Sequence, residues 1–382
     1  MFNSRSSRDV AGYKDRLNCG GMNMFNTLRK ILSKIGRSRL LMPLVIFSLL
    51  IIVNLFLDPI IMRNNPNARS FFRIELGENR YGNTILSGNI IRILNGASEL
   101  VILAIGMTLV TAASGGQDIS VGAVAAIAGS IFIKVVRVND ITWVWIVFAF
   151  CVSCVAAMLC GAFNGALVAK FKIQPMIATL ILFTSGRSIA YAINGNASPL
   201  LSDALTEQIG SFISGIPIQT PILIVLIYII VFFFIFKFTS LRLYAEAVGI
   251  NGNAARLNGI NPIAIKIIAY VILGFCVAAA GFISTCRMQR LDHDAILSGI
   301  EMDAILAVAI GGNALGGGKF SVAGSIVGAY TIELLTQTLL RMRVDPEPIK
   351  AYKAVFIIFL MIFSSPGLKS YISSAVAKRR TA

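Results

Sequence analysis

Few residues in this chain are of the types that do covalent chemistry, and their spacing points away from catalysis. The single histidine sits in Asp292-His293-Asp294. Three consecutive ligands cannot all turn to one ion, so a solvated loop is expected there rather than a metal site. Cys151-x-x-Cys154 has zinc-like spacing but no second pair, and the cysteines of the apolar runs read as small buried residues. A phosphate-binding loop would read G-x-x-x-x-G-K-[ST]. The nearest string, Gly318-Lys319-Phe320, carries Asn313 where the first glycine belongs and Phe320 where the hydroxyl belongs. No Ser/His/Asp or Cys/His set accompanies these, so no catalytic residue, metal or cofactor is expected, and the chain is not expected to hydrolyse ATP.

Two other groups of residues carry the functional signal. The first lies inside apolar runs: the ionisable residues Asp118, Arg187 and Glu333, and the neutral hydrogen-bonding residues Gln117, Asn164, Thr184 and Asn194. Ionisable groups at membrane depth are costly and mark pathways or pairs. An Arg187–Glu333 pair is one candidate. Neutral donors and acceptors suit an uncharged polyol, since each buried polar contact must be satisfied. These seven residues are the candidate translocation pathway. The second group is a polar island at residues 239–262, between apolar runs 221–238 and 263–283. It is far longer than a plain connection requires and holds a short helix-compatible core, with Gly249 and Gly259 expected to allow turns into and out of it.

The elements that position these groups are membrane helices. The chain is 56% hydrophobic and only 14% charged, against about 25% charged in soluble domains. A helix needs ~20 apolar residues to cross a bilayer. The pattern predicts an all-α polytopic membrane protein of about ten spans, at 41–57, 97–113, 119–136, 141–169, 175–193, 220–238, 263–286, 304–316, 321–340 and 352–368. The second, third and eighth are weak and rich in Gly and Ala. The domains are then a basic tail at 1–40, a membrane domain at 41–370 and a basic tail at 371–382. With both termini in the cytoplasm, the inner side holds 20 Lys and Arg and the outer side 13. Basic inner loops are the expected orientation signal. The net charge of +16 is thus explained by topology, and the lipid bilayer rather than nucleic acid is the expected partner.

Two glycine-rich passages echo one another. Gly115-Gly116, Ser120-Val121, Ala128 and Ile131 recur as Gly316-Gly317, Ser321-Val322, Ala329 and Ile332. Each passage joins a short apolar segment to a Gly/Ala-rich one, the pattern of duplicated, interrupted helices that line cavities. Gly161/Gly165 and Gly324/Gly328 give small faces for close helix packing, expected within one subunit.

Several blocks resemble the permease subunits of bacterial ABC sugar importers, in the ribose, xylose, arabinose and galactofuranose group. They are Leu103-Ala104-Ile105-Gly106-Met107-Thr108, Asp118-Ile119-Ser120-Val121-Gly122, Lys172-Ile173-Gln174-Pro175, Glu246-Ala247-Val248-Gly249-Ile250-Asn251 and Asp303-Ala304-Ile305-Leu306. The resemblance covers residues 91–366, and within the group the third and fourth blocks look most like the galactofuranose permease. It implies a permease that receives a sugar from an extracytoplasmic binding protein, pairs with a second permease subunit and is driven by separate cytoplasmic ATP-binding subunits. The polar island then matches the segment that contacts the ATPase, with Glu246, Ala247, Gly249, Asn251, Asn253, Arg256 and Gly259 on the motif. One departure stands out. The family usually reads Gly-Gly-Ile-Asp-Leu-Ser around the position where this chain has Gly116-Gln117-Asp118-Ile119-Ser120. An ion-gradient carrier of a small polar metabolite is the alternative reading.

Overall fold

The structure is a computed structural model, and it describes residues 40–64, 70–78, 84–138, 141–213 and 215–364. The expected tails at 1–39 and 371–382 lie outside the described residues. In chain order the elements begin with α1 (Leu41–Asn64), β1 (Glu75–Glu78) and β2 (Thr84–Ser87). Then come α2 (Asn89–Gly96), α3 (Ser98–Ser114), α4 (Val121–Val138), α5 (Trp143–Ala169), α6 (Pro175–Ile193) and α7 (Ala204–Gly210). The chain continues through α8 (Thr220–Phe238), α9 (Leu241–Ile250), α10 (Gly252–Leu257) and α11 (Pro262–Met288). It closes with α12 (Ile300–Ile310), α13 (Val322–Arg341) and α14 (Pro346–Ser364).

α3 is the axis of the molecule. Its sequence is apolar on every side, and every residue from Ser98 to Ala113 is buried. A helix without a polar face belongs in the interior, and here α9, α11, α12 and α13 pack around it. Gly106 admits α11, because a Cβ there would stand 2.9 Å from Leu273 Cδ1 and 3.1 Å from Cys276 Sγ. The other side of α11 takes α5. Gly161 and Gly165 of α5 lie against Tyr270 and Ile267, and Gly274 of α11 lies against Ala157. Gly324 and Gly328 likewise bring α13 onto Gly311 and Ala307 of the α12 segment. Both small-residue faces therefore serve packing within one chain.

Six helices are long and apolar enough to cross a membrane: α1, α4, α5, α6, α8 and α11. α2 and α3 together make a seventh, bent by 42°. α12 has only 11 residues, α13 carries Glu333 and Gln337, and α14 carries Glu347, Lys350 and Lys353. Of the ten expected spans, six or seven are simple crossings by length and composition among the described residues. The all-α expectation is also corrected in one place. β1 and β2 form an antiparallel hairpin in the loop before α2, with Glu75 opposite Ser87. Leu86 N donates to Pro217 O at 2.8 Å, tying that hairpin to the loop before α8.

Buried ion pairs fasten the ends of the helices opposite α9. Arg287 of α11 reaches Glu99 of α3 at 3.2 Å and also donates to Asn95 O and Oδ1. Lys353 of α14 reaches Asp303 of α12 at 2.9 Å. Asp58 of α1 pairs with Arg341 of α13 and accepts from Ser70 Oγ and Phe71 N.

Candidate functional site

The two glycine-rich passages are interruptions between helices, α3 to α4 and α12 to α13, and they touch each other. Gly115 ends α3 in the left-handed conformation (φ 69°), and Gly317 and Gly318 are also left-handed (φ 93° and 76°). Only glycine holds such backbone without strain. A Cβ on Gly115 would meet Gly316 O at 2.9 Å, and one on Gly317 would meet Gly115 Cα at 2.9 Å. Gly318 N donates to Ala112 O at 3.0 Å, and Gln117 Nε2 donates to Leu315 O at 2.8 Å.

Each interruption is closed by an Asx side chain accepting from a serine N–H. Asp118 Oδ1 accepts from Ser120 N and Ser120 Oγ at 2.8 and 2.6 Å. Asn164 of α5 joins this knot, donating to Ser120 Oγ at 2.9 Å and Asp118 Oδ2 at 3.3 Å. In the second interruption Asn313 Oδ1 accepts from Ser321 N at 2.6 Å. Asn313 Nδ2 donates to Ser325 Oγ, which Thr108 of α3 also bonds at 2.6 Å. The residue that spoils the phosphate loop in the sequence is thus the closing side chain of this break.

The polar island folds as α9 and α10, and α9 is fastened to the last turn of α3 and to the second interruption. Gly249 faces Ala112 and Gly318 so closely that a Cβ would overlap both backbones. Phe320 N donates to Glu246 Oε1 at 3.1 Å. Gly249 is accordingly not the turn glycine the sequence suggested; it lies within α9 and serves close approach. Gly259 does turn the chain, at φ 80°. Asn251 caps α10, accepting from Asn253 N and Ala254 N, and Asn261 caps α11 in the same way. Side-chain oxygens of this kind satisfy the orphan donors of a helix start. Of the predicted contact set, Ala247 and Glu246 are half-buried, while Asn251, Asn253, Arg256 and Gly259 are exposed.

The predicted pathway residues separate into three places, the first interruption, α6 and, for Glu333, α13. Gln117, Asp118 and Asn164 gather at the first interruption. Thr184 lies one side of α6, on an exposed face that also holds Ser188, and its hydroxyl returns to Leu180 O and Ile181 O. Asn194 ends α6 and donates to Ser130 O at 3.3 Å. Arg187 and Glu333 do not pair. Arg187 instead donates to three carbonyls, of His293 at 2.5 Å, Asp294 at 3.1 Å and Ile296 at 3.2 Å. Glu333 accepts from Gln337 at 2.7 Å and lies beneath Gly96.

Arg187's grip also corrects the reading of the histidine loop. His293 is only 3% exposed, packed edge-on against Tyr191 at 5.1 Å. His293 and Ile296 are pulled into the molecule, while Asp294, Ala295 and Ser298 stay exposed. Burial holds the His293 imidazole below the usual histidine value, against the pull of Asp292 and Asp294.

Sequence reasoning passed over several residues the structure brings forward. Leu243, Ile250 and Leu257 put exposed apolar side chains on the α9–α10 segment, Leu257 at 90% exposure. Their spacing of seven residues was available as a signal. Glu99, Arg287 and Glu301 are charged groups buried or part-buried around the helix ends remote from α9, and only the contacts of folded segments reveal them.

Residues 89–365 match the family model described as branched-chain amino acid transport system / permease component. The fructose import permease protein of Bifidobacterium longum is 34% identical, over 93% of this chain and 94% of that one. The galactofuranose transporter permease protein of Escherichia coli is 36% identical, over 82% of this chain and 89% of that one. The ribose import permease protein of Escherichia coli is 34% identical, over 72% of this chain and 84% of that one. No solved structure matches.

Proposed function

This chain belongs to the branched-chain amino acid transport system / permease component family, and from that premise we propose that it is the membrane subunit of an ATP-driven importer for a monosaccharide. The relatives are named for fructose, galactofuranose and ribose, all neutral sugars, and this favours a sugar over the small polar metabolite of an ion-driven carrier. The protein works as a multi-pass permease in the bacterial cytoplasmic membrane. It has ten membrane segments, some interrupted, with both termini in the cytoplasm and the two interrupted pairs related as an internal repeat. Side-chain closures on Ser120 and Ser321, the serines that the repeat aligns, support it, although Asp118 lies two residues and Asn313 eight residues before its serine.

The observation that carries the reading is the attachment of α9. One short surface helix touches the last turn of α3, just before the first interruption, and the second interruption itself, through Gly249 against Ala112 and Gly318 and Glu246 against Phe320. A cytoplasmic ATP-binding subunit that moves α9 therefore moves both breaks together. The exposed Leu243, Ile250 and Leu257 give that partner an apolar contact, and exposed apolar groups collected on one segment mark interaction sites. Asn251, Asn253 and Arg256 supply the polar rim, and Gly259 turns the segment back to α11.

A second permease subunit covers the exposed face of α6, and the sugar passes along Thr184 and Ser188 between the two. Gln117, Asp118 and Asn164 hold the first break at the inner end of that path, and Arg187 and Asn194 hold its outer loop and rim. Glu333 fixes α13 against α2. An extracytoplasmic sugar-binding protein delivers the substrate to the side carrying the β1–β2 hairpin.

Uptake by the reconstituted assembly tests this. Liposomes holding the permease, its ATP-binding subunits and the binding protein are predicted to accumulate sugar only with ATP and regardless of a protonophore. Uptake without the ATP-binding subunits that collapses with the proton gradient would overturn the reading.

A further inference from the structure

An open groove of about 560 Å³ lies between α8 and α13, beside the start of α9. Its walls are graded. Ile229 and Phe233 line it along α8, at a spacing of four that continues to Lys237. Val322 and Ile326 line the facing side on α13. Arg242, in the first turn of α9, lines the groove together with Lys237. From Ile229 to Lys237 the groove runs about 12 Å along the helix axis. It is apolar for most of that length and cationic at one end, and none of its lining residues is a carboxylate.

Both cations are held at the mouth by aromatic rings. Lys237 Nζ sits 5.5 Å from the Phe233 ring, and the Arg242 guanidinium sits 5.9 Å from the Phe320 ring. Each is exposed. Such contacts fix a cation loosely while leaving its hydrogen-bond donors outward.

We infer that this groove is a binding site for an anionic glycerophospholipid of the inner leaflet. Its acyl chain lies along Ile229, Phe233 and Ile326, and its phosphate sits between Lys237 and Arg242. Charge complementarity selects this occupant. With a neutral lipid, Lys237 and Arg242 face no negative charge inside the groove, whose lining holds no carboxylate. Basic pockets between membrane helices are suited to anionic headgroups. The placement in the inner leaflet rests on the cytoplasmic position of α9 proposed above. Phe320 links the site to the transport machinery. Its ring meets Arg242, and its N–H holds Glu246, so a lipid drawing on Arg242 steadies α9 on the second break.

The test is native mass spectrometry of the purified full chain with phosphatidylglycerol and phosphatidylcholine of identical acyl chains. Wild type should retain phosphatidylglycerol at least tenfold more tightly. Lys237→Gln/Arg242→Gln should abolish that preference. Lys170→Gln/Arg256→Gln removes the same charge at another cytoplasmic cavity and should leave it intact. Ile229→Trp fills the groove without touching either cation and should also weaken retention. Equal retention of the two lipids, a preference that survives the first double variant, or displacement of the lipid by inorganic phosphate would each overturn the assignment. Binding is read on the isolated subunit. Failure of this site therefore leaves the import reading standing, and failure of ATP-driven uptake leaves the lipid preference untouched.

Discussion

Gly249→Ala is the sharpest perturbation of the link between α9, the end of α3 and the second break. The added Cβ would stand 2.6 Å from Gly318 N and closer still to Ala112 O. Ordinary contact is about 3.5 Å, so α9 must withdraw by roughly 1–2 Å. Such a shift breaks the 3.1 Å bond from Phe320 N to Glu246. Overpacking of this kind costs about 1–3 kcal/mol. α9 lies at the surface and can move outward, so the cost falls on its docking rather than on insertion of the chain. A loss of about 2 kcal/mol lowers the docked population relative to the undocked one by up to about thirtyfold. The assay is the reconstituted importer, measuring ATP hydrolysed and sugar accumulated in the same liposomes. Gly249→Ala should hydrolyse ATP while accumulating several-fold less sugar per ATP. Gly252→Ala is the control, because its Cβ meets nothing nearer than Pro262 Cβ at 3.9 Å. Wild-type sugar accumulation per ATP by Gly249→Ala would refute the reasoning.

Other outcomes follow from the same geometry. Leu257→Asp should leave thermal stability within about 0.5 kcal/mol, as for an exposed site, yet weaken capture of the ATP-binding subunits by tenfold or more in size-exclusion binding. Arg287→Ala should cost about 3 kcal/mol in thermal unfolding, because it strands Glu99 in the interior, and adding Glu99→Gln should recover part of that loss. Thr184→Val with Ser188→Ala should lower sugar uptake without changing expression, read from initial rates over a range of sugar concentrations. His293 is neutral when buried, so the loop's stability is present above the unfolded histidine value and falls as pH drops through the depressed folded one. Hydrogen exchange at residues 291–299 should quicken on acidification, and His293→Gln should abolish that pH dependence.

Much of this arrangement was legible in the sequence because it rests on local pattern. Apolar length located α1, α5, α6, α8 and α11. The glycine pairs at Gly115 and Gly316 marked breaks because left-handed backbone demands glycine there. The length of the polar island and its helix-compatible core marked the segment that folds as α9 and α10. What was not legible depends on segments far apart in the chain. Gly249 looks like a turn residue until Ala112 and Gly318 are seen on either side of it. Arg187 looks like a partner for Glu333 until the loop after α11 folds back and offers three carbonyls. Asn313 is a failed motif in the sequence and a closing side chain in the fold. The hairpin before α2 escaped because its four-residue strands sit in a charged loop, where alternation over so short a run carries little signal.

Cysteine placed at position 257 tests the central claim most directly. In vesicles of known orientation, Leu257→Cys should react with a membrane-impermeant maleimide only from the cytoplasmic side. Bound ATP-binding subunits should block that reaction and form a cross-link to the same residue. Labelling from the outer side, or labelling at the same rate with and without those subunits, would contradict the account.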